Sequence, residues 1–123
     1  MNIDFSLCPT PCYIVDERLL EKNLKILHSV QERTGCKILL ALKGFSMFSV
    51  FPLVGKYLKG ITASSLFEAR LGYEEMGREV HIYSPAYLEE EFDEILKYCD
   101  HIVFNSFDQW NRYRERALKS GKV

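Results

Sequence analysis

Gly60-Ile61-Thr62-Ala63-Ser64-Ser65-Leu66-Phe67-Glu68 is the stretch that decides the fold. Its first five residues form a short, largely apolar run bounded by glycine and serine, which reads as a buried strand. Ser65 and Glu68 then stand three apart as a helix capping box, in which each side chain takes a backbone N–H that the first helical turn leaves unpaired. With Gly77 as a stop, this is one strand-to-helix unit.

The same unit recurs on both sides. Lys37-Ile38-Leu39-Leu40-Ala41-Leu42, Val80-His81-Ile82-Tyr83-Ser84 and His101-Ile102-Val103-Phe104-Asn105 are comparable runs, and the four starts fall about 20 residues apart, the length of one strand, one helix and two tight connections. Ser106-Phe107-Asp108-Gln109 repeats the capping pattern ahead of a helix running to Gly121. Ser49 and Pro52 predict a helix between the first run and Gly60, and the acidic opening of Tyr87–Leu96 suits the positive end of a helix dipole. Before the first strand, Leu20, Leu24, Leu27 and Val30 mark an amphipathic helix over about Asp16–Thr34.

Strands alternating with helices predict a parallel sheet covered by helices, because each parallel crossover needs a long connection. An open doubly wound sheet has switch points, whereas a (β/α)8 barrel needs eight units and roughly 250 residues. Four units make half a barrel. The expected fold class is therefore α/β, the N-terminal half of a TIM-like (β/α)8 barrel, with residues 1–15 as an N-terminal strand segment and 16–123 as a partial barrel domain. Ala117-Leu118-Lys119-Ser120-Gly121-Lys122-Val123 reads as a helix end, a glycine stop and the start of a fifth strand, which predicts a truncated barrel. The open strand edge and inner face of such a piece predict association.

Composition narrows the function. The 123 residues carry 16 basic and 17 acidic side chains, a net charge of -1, with no basic block to bind nucleic acid or an anionic membrane. No apolar run approaches the roughly 20 residues that span a bilayer, and the N-terminus lacks the pattern of a signal peptide, so a cytoplasmic protein is expected. Cys8, Cys12, Cys36 and Cys99 are too irregularly spaced for a disulfide framework and are expected as reduced packing or surface thiols. His28, His81 and His101 do not fall beside them at ligand spacing, so no metal is predicted. His81 and His101 are expected to be structural, beginning strands at the end opposite the site, and Glu89-Glu90-Glu91 is expected to be a solvated helix start.

Lys43 is the candidate for chemistry. Leu39, Ala41 and Lys43 share one face of the first strand by two-residue alternation, and Lys43 ends it. In α/β folds ligands bind at that carboxyl end of the strands. A lysine desolvated there by apolar neighbours has a partly neutral, nucleophilic amine suited to bond an aldehyde, and the small Ala41 leaves room for a flat ring. From position alone, a solvated lysine that ends the strand is the favoured reading. Phe45, Phe48 and Phe51 fall at spacing three, suited to a helix face packed on the core or to a pocket wall.

The wording around these positions adds a resemblance that covers the whole chain. Thr10-Pro11-Cys12-Tyr13-Ile14-Val15-Asp16, Ala41-Leu42-Lys43-Gly44-Phe45-Ser46, Thr62-Ala63-Ser64-Ser65-Leu66-Phe67-Glu68-Ala69, Tyr83-Ser84-Pro85-Ala86-Tyr87 and Val103-Phe104-Asn105-Ser106 follow in order. Together they resemble the opening of the fold-type III pyridoxal phosphate enzymes, among them alanine racemase, ornithine decarboxylase and diaminopimelate decarboxylase. Within that family they resemble most the carboxynorspermidine (carboxyspermidine) decarboxylase branch. Thr62 stands where ornithine decarboxylase-like members carry an acidic residue, a departure that favours this branch.

The resemblance implies pyridoxal 5'-phosphate as cofactor, Lys43 as the catalytic lysine bonded to it, and Ala41 under or beside its ring. It implies cofactor-binding positions at Ser65, Ser84 and Asn105, although a helix cap explains Ser65 and polar strand ends explain the other two. It further implies decarboxylation of a small-molecule carboxy-polyamine and a homodimer in the full-length protein, with the phosphate-, pyridine- and carboxylate-binding residues expected beyond Val123. The other readings left open are a non-catalytic pyridoxal phosphate-binding protein, another decarboxylase of the family, and a cofactor-free α/β module.

Overall fold

The computed structural model describes residues 4–122. Five helices, α1 (Glu17–Thr34), α2 (Phe51–Val54), α3 (Leu66–Glu75), α4 (Glu89–Tyr98) and α5 (Phe107–Lys119), alternate with four strands, β1 (Leu39–Ala41), β2 (Gly60–Ala63), β3 (Glu79–Tyr83) and β4 (His101–Val103). The strands form one parallel sheet in the order β1-β2-β3-β4. A doubly wound sheet would reverse direction somewhere in that order. Strictly sequential order instead makes this a singly wound sheet, the arrangement of the N-terminal part of a (β/α)8 barrel.

The two faces of the sheet differ. Leu42, Ile61, Ala63, Val80, Ile82 and Ile102 are buried and join Phe51, Val54, Ala69, Phe92, Ile95 and Tyr113 of the helices in one core. Thr62, His81 and His101 on the opposite, inner face are half-buried, and Tyr83 and Val103 are exposed. Two glycines fix the spacing of the layers. A Cβ on Gly60 would stand 1.9 Å from the Glu79 carbonyl oxygen of the neighbouring strand, and one on Gly72 would stand 2.3 Å from Cγ1 of Ile61 under α3.

Asp16 caps α1, its carboxylate accepting from the N–H groups of Arg18 and Leu19. Ser65 and Ser106 cap α3 and α5 as expected, their hydroxyls accepting from Glu68 and Gln109 N–H. The return bonds shift by one residue: the Glu68 carboxylate takes the N–H of Ser64, and the Gln109 amide oxygen takes that of Asn105. Both boxes therefore clamp the end of the preceding strand as well as the helix.

Three expected elements differ. The helix expected from Ser49 to Gly60 is a 3-10 turn at Phe48–Val50 followed by the four residues of α2. Gly55 closes it by donating to the Phe51 carbonyl, after which the chain turns into β2. Tyr87 and Leu88 lie before α4, because the Tyr87 ring is buried among Phe92, Phe104 and Tyr113 and its hydroxyl donates to the carbonyl of Val103. That burial pushes the Tyr87 hydroxyl up to about 12. Residues 8–16 pair with no strand among the described residues, and Phe5–Leu7 is a 3-10 turn, so the N-terminal strand segment is not formed there. An extended segment becomes a strand only against a ladder partner, and β1 pairs on its described side with β2. Met1–Ile3 and Val123, where part of that segment and the expected fifth strand fall, lie outside the described residues.

Gln31 holds α1 to the sheet. It is buried, its amide nitrogen donates 2.7 Å to the Tyr57 carbonyl, and its amide oxygen accepts 2.8 Å from the N–H of Ile38. Gln31→Leu strands the N–H of Ile38 away from water and leaves the Tyr57 carbonyl to His28 Nδ1 at 3.1 Å, and the expected loss is about 1–3 kcal/mol in urea unfolding.

Candidate active site

Because all four strands are parallel and in register, the segments that follow them gather along one rim. Lys43 lies in the turn after β1, which the N–H groups of Gly44 and Phe45 close on the Ala41 carbonyl. Ser65 follows β2, Ser84 follows β3 and Asn105 follows β4. All the expected site residues other than Ala41 therefore stand at the carboxyl end of the sheet. They fall into two groups.

Ala41, Lys43 and Ser65 occupy adjacent strands at one edge. Leu42 N–H bonds the Thr62 carbonyl, so the pairing of β1 and β2 continues to the residue before Lys43. Lys43 is exposed, and among the described residues no carboxylate lies within ion-pair distance of it. The apolar enclosure expected around its amine is thus not supplied by these residues: Leu42 beside it turns into the helix-facing core, and the inner face stays open. Ala41 is half-buried on that inner face, and the Ser65 hydroxyl is engaged as the α3 cap.

Ser84 and Asn105 form the second group, linked by a polar network. Tyr83 Oη donates 2.8 Å to Asn105 Oδ1, while the Asn105 and Gln109 side-chain amides both reach the Pro85 carbonyl. Ser84 Oγ donates to the Ala86 carbonyl, closing the turn after β3. Asn105 opens onto a cleft of about 540 Å³ that it lines with Phe104, Ser106, Phe107 and Trp110. One intervening strand separates Ser84 from Lys43 and two separate Asn105 from it, about 10 and 14 Å along the rim at ordinary strand spacing.

Of the aromatics after Lys43, Phe51 is fully buried in the core, Phe45 packs against it, and Phe48 is exposed. Glu89 is not merely solvated: it pairs with Arg112 at 2.8 Å and with Arg116, tying α4 to α5. The four cysteines are free thiols, and burial pushes Cys99 up to about 11.

The inner face also holds polar groups that spacing along the chain does not reveal. Ala41, Thr62, His81 and His101 stand in one register row, with Glu79 two residues before His81 on the same face. His81 is therefore the middle residue of β3, not its start, because the strand begins at Glu79. Glu79 accepts from Lys37 Nζ at 2.6 and 2.9 Å and lies 3.2 Å from His81 Nε2. The Lys37 bond first, then that of His81, holds the Glu79 carboxyl below its ordinary value of 4.5. A depressed carboxylate contributes stability that is fully present above its unfolded value and is lost as pH falls through the folded one. Lys37→Ala is therefore expected to lower the plateau of a stability-versus-pH curve slightly above about pH 4.5, to leave stability at the acid end unchanged, and so to flatten the acid limb between them.

No protein-family model matches the chain. It is 45% identical over 122 residues to the carboxyaminopropylagmatine decarboxylase of a Synechocystis strain, covering 99% of this chain and 31% of that protein. It is 47% identical over 111 residues to the carboxynorspermidine/carboxyspermidine decarboxylase of Campylobacter jejuni, covering 90% of this chain and 29% of that protein. The crystal structure of carboxynorspermidine decarboxylase complexed with norspermidine from Campylobacter jejuni superposes with a TM-score of 0.87 at 47% identity, over 89% of this chain and 30% of that one. The chain spans about 30% of the length of these relatives. By sequence and by fold, the chain is similar to the N-terminal part of carboxynorspermidine/carboxyspermidine decarboxylases.

Proposed function

We propose that this chain forms the N-terminal half barrel of a pyridoxal phosphate-dependent decarboxylase of carboxynorspermidine or carboxyspermidine, carrying the lysine that bonds the cofactor. The observation that carries the reading is the 45–47% identity to such decarboxylases over 88% or more of the chain. The residues present fit the cofactor: Lys43 offers an exposed amine with no carboxylate partner among the described residues, at the carboxyl end of β1, and the side chain of Ala41 is only a methyl, which leaves room for a ring.

Lys43 Nζ would hold the cofactor covalently through its aldehyde. Pyridoxal phosphate, when bound, supplies an electron sink for the charge left as the α-carboxylate departs. Ser65, Ser84 and Asn105 would provide polar contacts along the rim. The working protein is a cytoplasmic homodimer in this reading, with the remaining cofactor and substrate contacts supplied by residues beyond Val123. Similarity to the carboxyaminopropylagmatine decarboxylase favours a second substrate, carboxyaminopropylagmatine, on the same machinery. The test is an absorbance spectrum with pyridoxal phosphate, borohydride reduction and mass mapping: a modified peptide containing Lys43 is expected, and modification scattered over the lysines overturns the reading.

A further inference from the structure

We propose that Glu79, His81 and His101 form a binding site for a divalent transition metal of the zinc class on the inner face of the sheet. The two histidines are register partners on adjacent strands, and their rings stack with centroids 4.2 Å apart. Glu79 Oε2 lies 3.2 Å from His81 Nε2 and 3.8 Å from His101 Nε2, and the three ligand atoms all fall within 4.8 Å of one another. Tetrahedral zinc with bonds of about 2.0–2.1 Å separates its ligand atoms by about 3.3 Å, so small side-chain rotations close the site.

Two imidazoles and one carboxylate suit zinc or cobalt and leave a fourth position for water. All three side chains are partly exposed, so an ion can reach them. Without metal, the charge of Glu79 is met by the Lys37 ammonium, which bonds both carboxylate oxygens. A bound cation takes that place and repels Lys37. This inference is independent of the role given to Lys43, which is not among the ligands.

The experiment is equilibrium dialysis of the chain against Zn2+, with a Co2+ titration followed by visible absorption. One equivalent of metal is expected, with cobalt bands in the visible and no thiolate charge-transfer band. His81→Ala and His101→Ala are each expected to weaken binding at least about tenfold, and Lys43→Ala to leave it unchanged. Lys37→Ala is expected to tighten binding, because it removes the competing cation; this gain decides the matter if the histidine variants do not fold. No binding by either the native chain or Lys37→Ala overturns the proposal. So does binding that survives His81→Ala/His101→Ala, or a thiolate band, which assigns the metal to cysteines.

Discussion

Lys43→Ala is expected to abolish the cofactor adduct while leaving the fold intact. The native chain with pyridoxal phosphate should develop a band near about 420 nm and, after borohydride, a modified peptide containing Lys43. The variant should show neither. Only a neutral amine attacks an aldehyde, and several other lysines hold their ammonium groups against carboxylates: Lys37 on Glu79, Lys25 on Glu21 and Lys97 on Glu94. Lys97 is pushed up by its partner, which keeps it protonated. Lys43 is exposed in a backbone-closed turn, so truncating it removes no packing, and the melting temperature should move little. Equal labelling in the variant would show that the amine of Lys43 is not the one that matters.

Gly60→Ala should have the largest structural effect. Its new methyl would have to occupy space 1.9 Å from a carbonyl oxygen and 2.7 Å from the carbonyl carbon of Glu79. These are backbone atoms of the paired strand, so relief requires β2 and β3 to part where their register begins. A cost of about 3 kcal/mol or more is expected, a large share of the 5–15 kcal/mol typical of a whole domain. Urea unfolding or the soluble yield on expression measures it. Gly72→Ala is the informative comparison, because there the obstacles are Cγ1 and Cδ1 of the Ile61 side chain, not backbone, and the expected loss is smaller.

The repeat of short apolar runs and capping boxes made the β/α alternation legible, since Ser65, Ser106 and Asp16 declare their helices through local hydrogen bonds. Strand order was not local information: sequential pairing distinguishes a half barrel from a doubly wound sheet, and it became visible only in the registers. The region from Phe48 to Gly60 was misread because Phe51 and Val54 are drawn into the core, leaving room for a single α-helical turn. At the site, alternation placed Lys43 and Ala41 on one face but left the amine either enclosed or solvated, and in the structure Lys43 is exposed. The cluster of Glu79, His81 and His101 was hidden because His81 and His101 are 20 residues apart and meet only through the pairing of β3 with β4. The alternation Glu79-His81-Tyr83 on one strand face was the signal available for it.

The order β1-β2-β3-β4 also governs how the chain can be made. Among the described residues every strand pairs only with those next to it in sequence, so no described ladder waits for a segment beyond the next β/α unit. As translation proceeds from the N-terminus, each new strand meets an edge already formed by its predecessor, and each capping box starts the following helix through residues only a few positions away. The architecture therefore suits vectorial assembly on the ribosome, one β/α unit at a time.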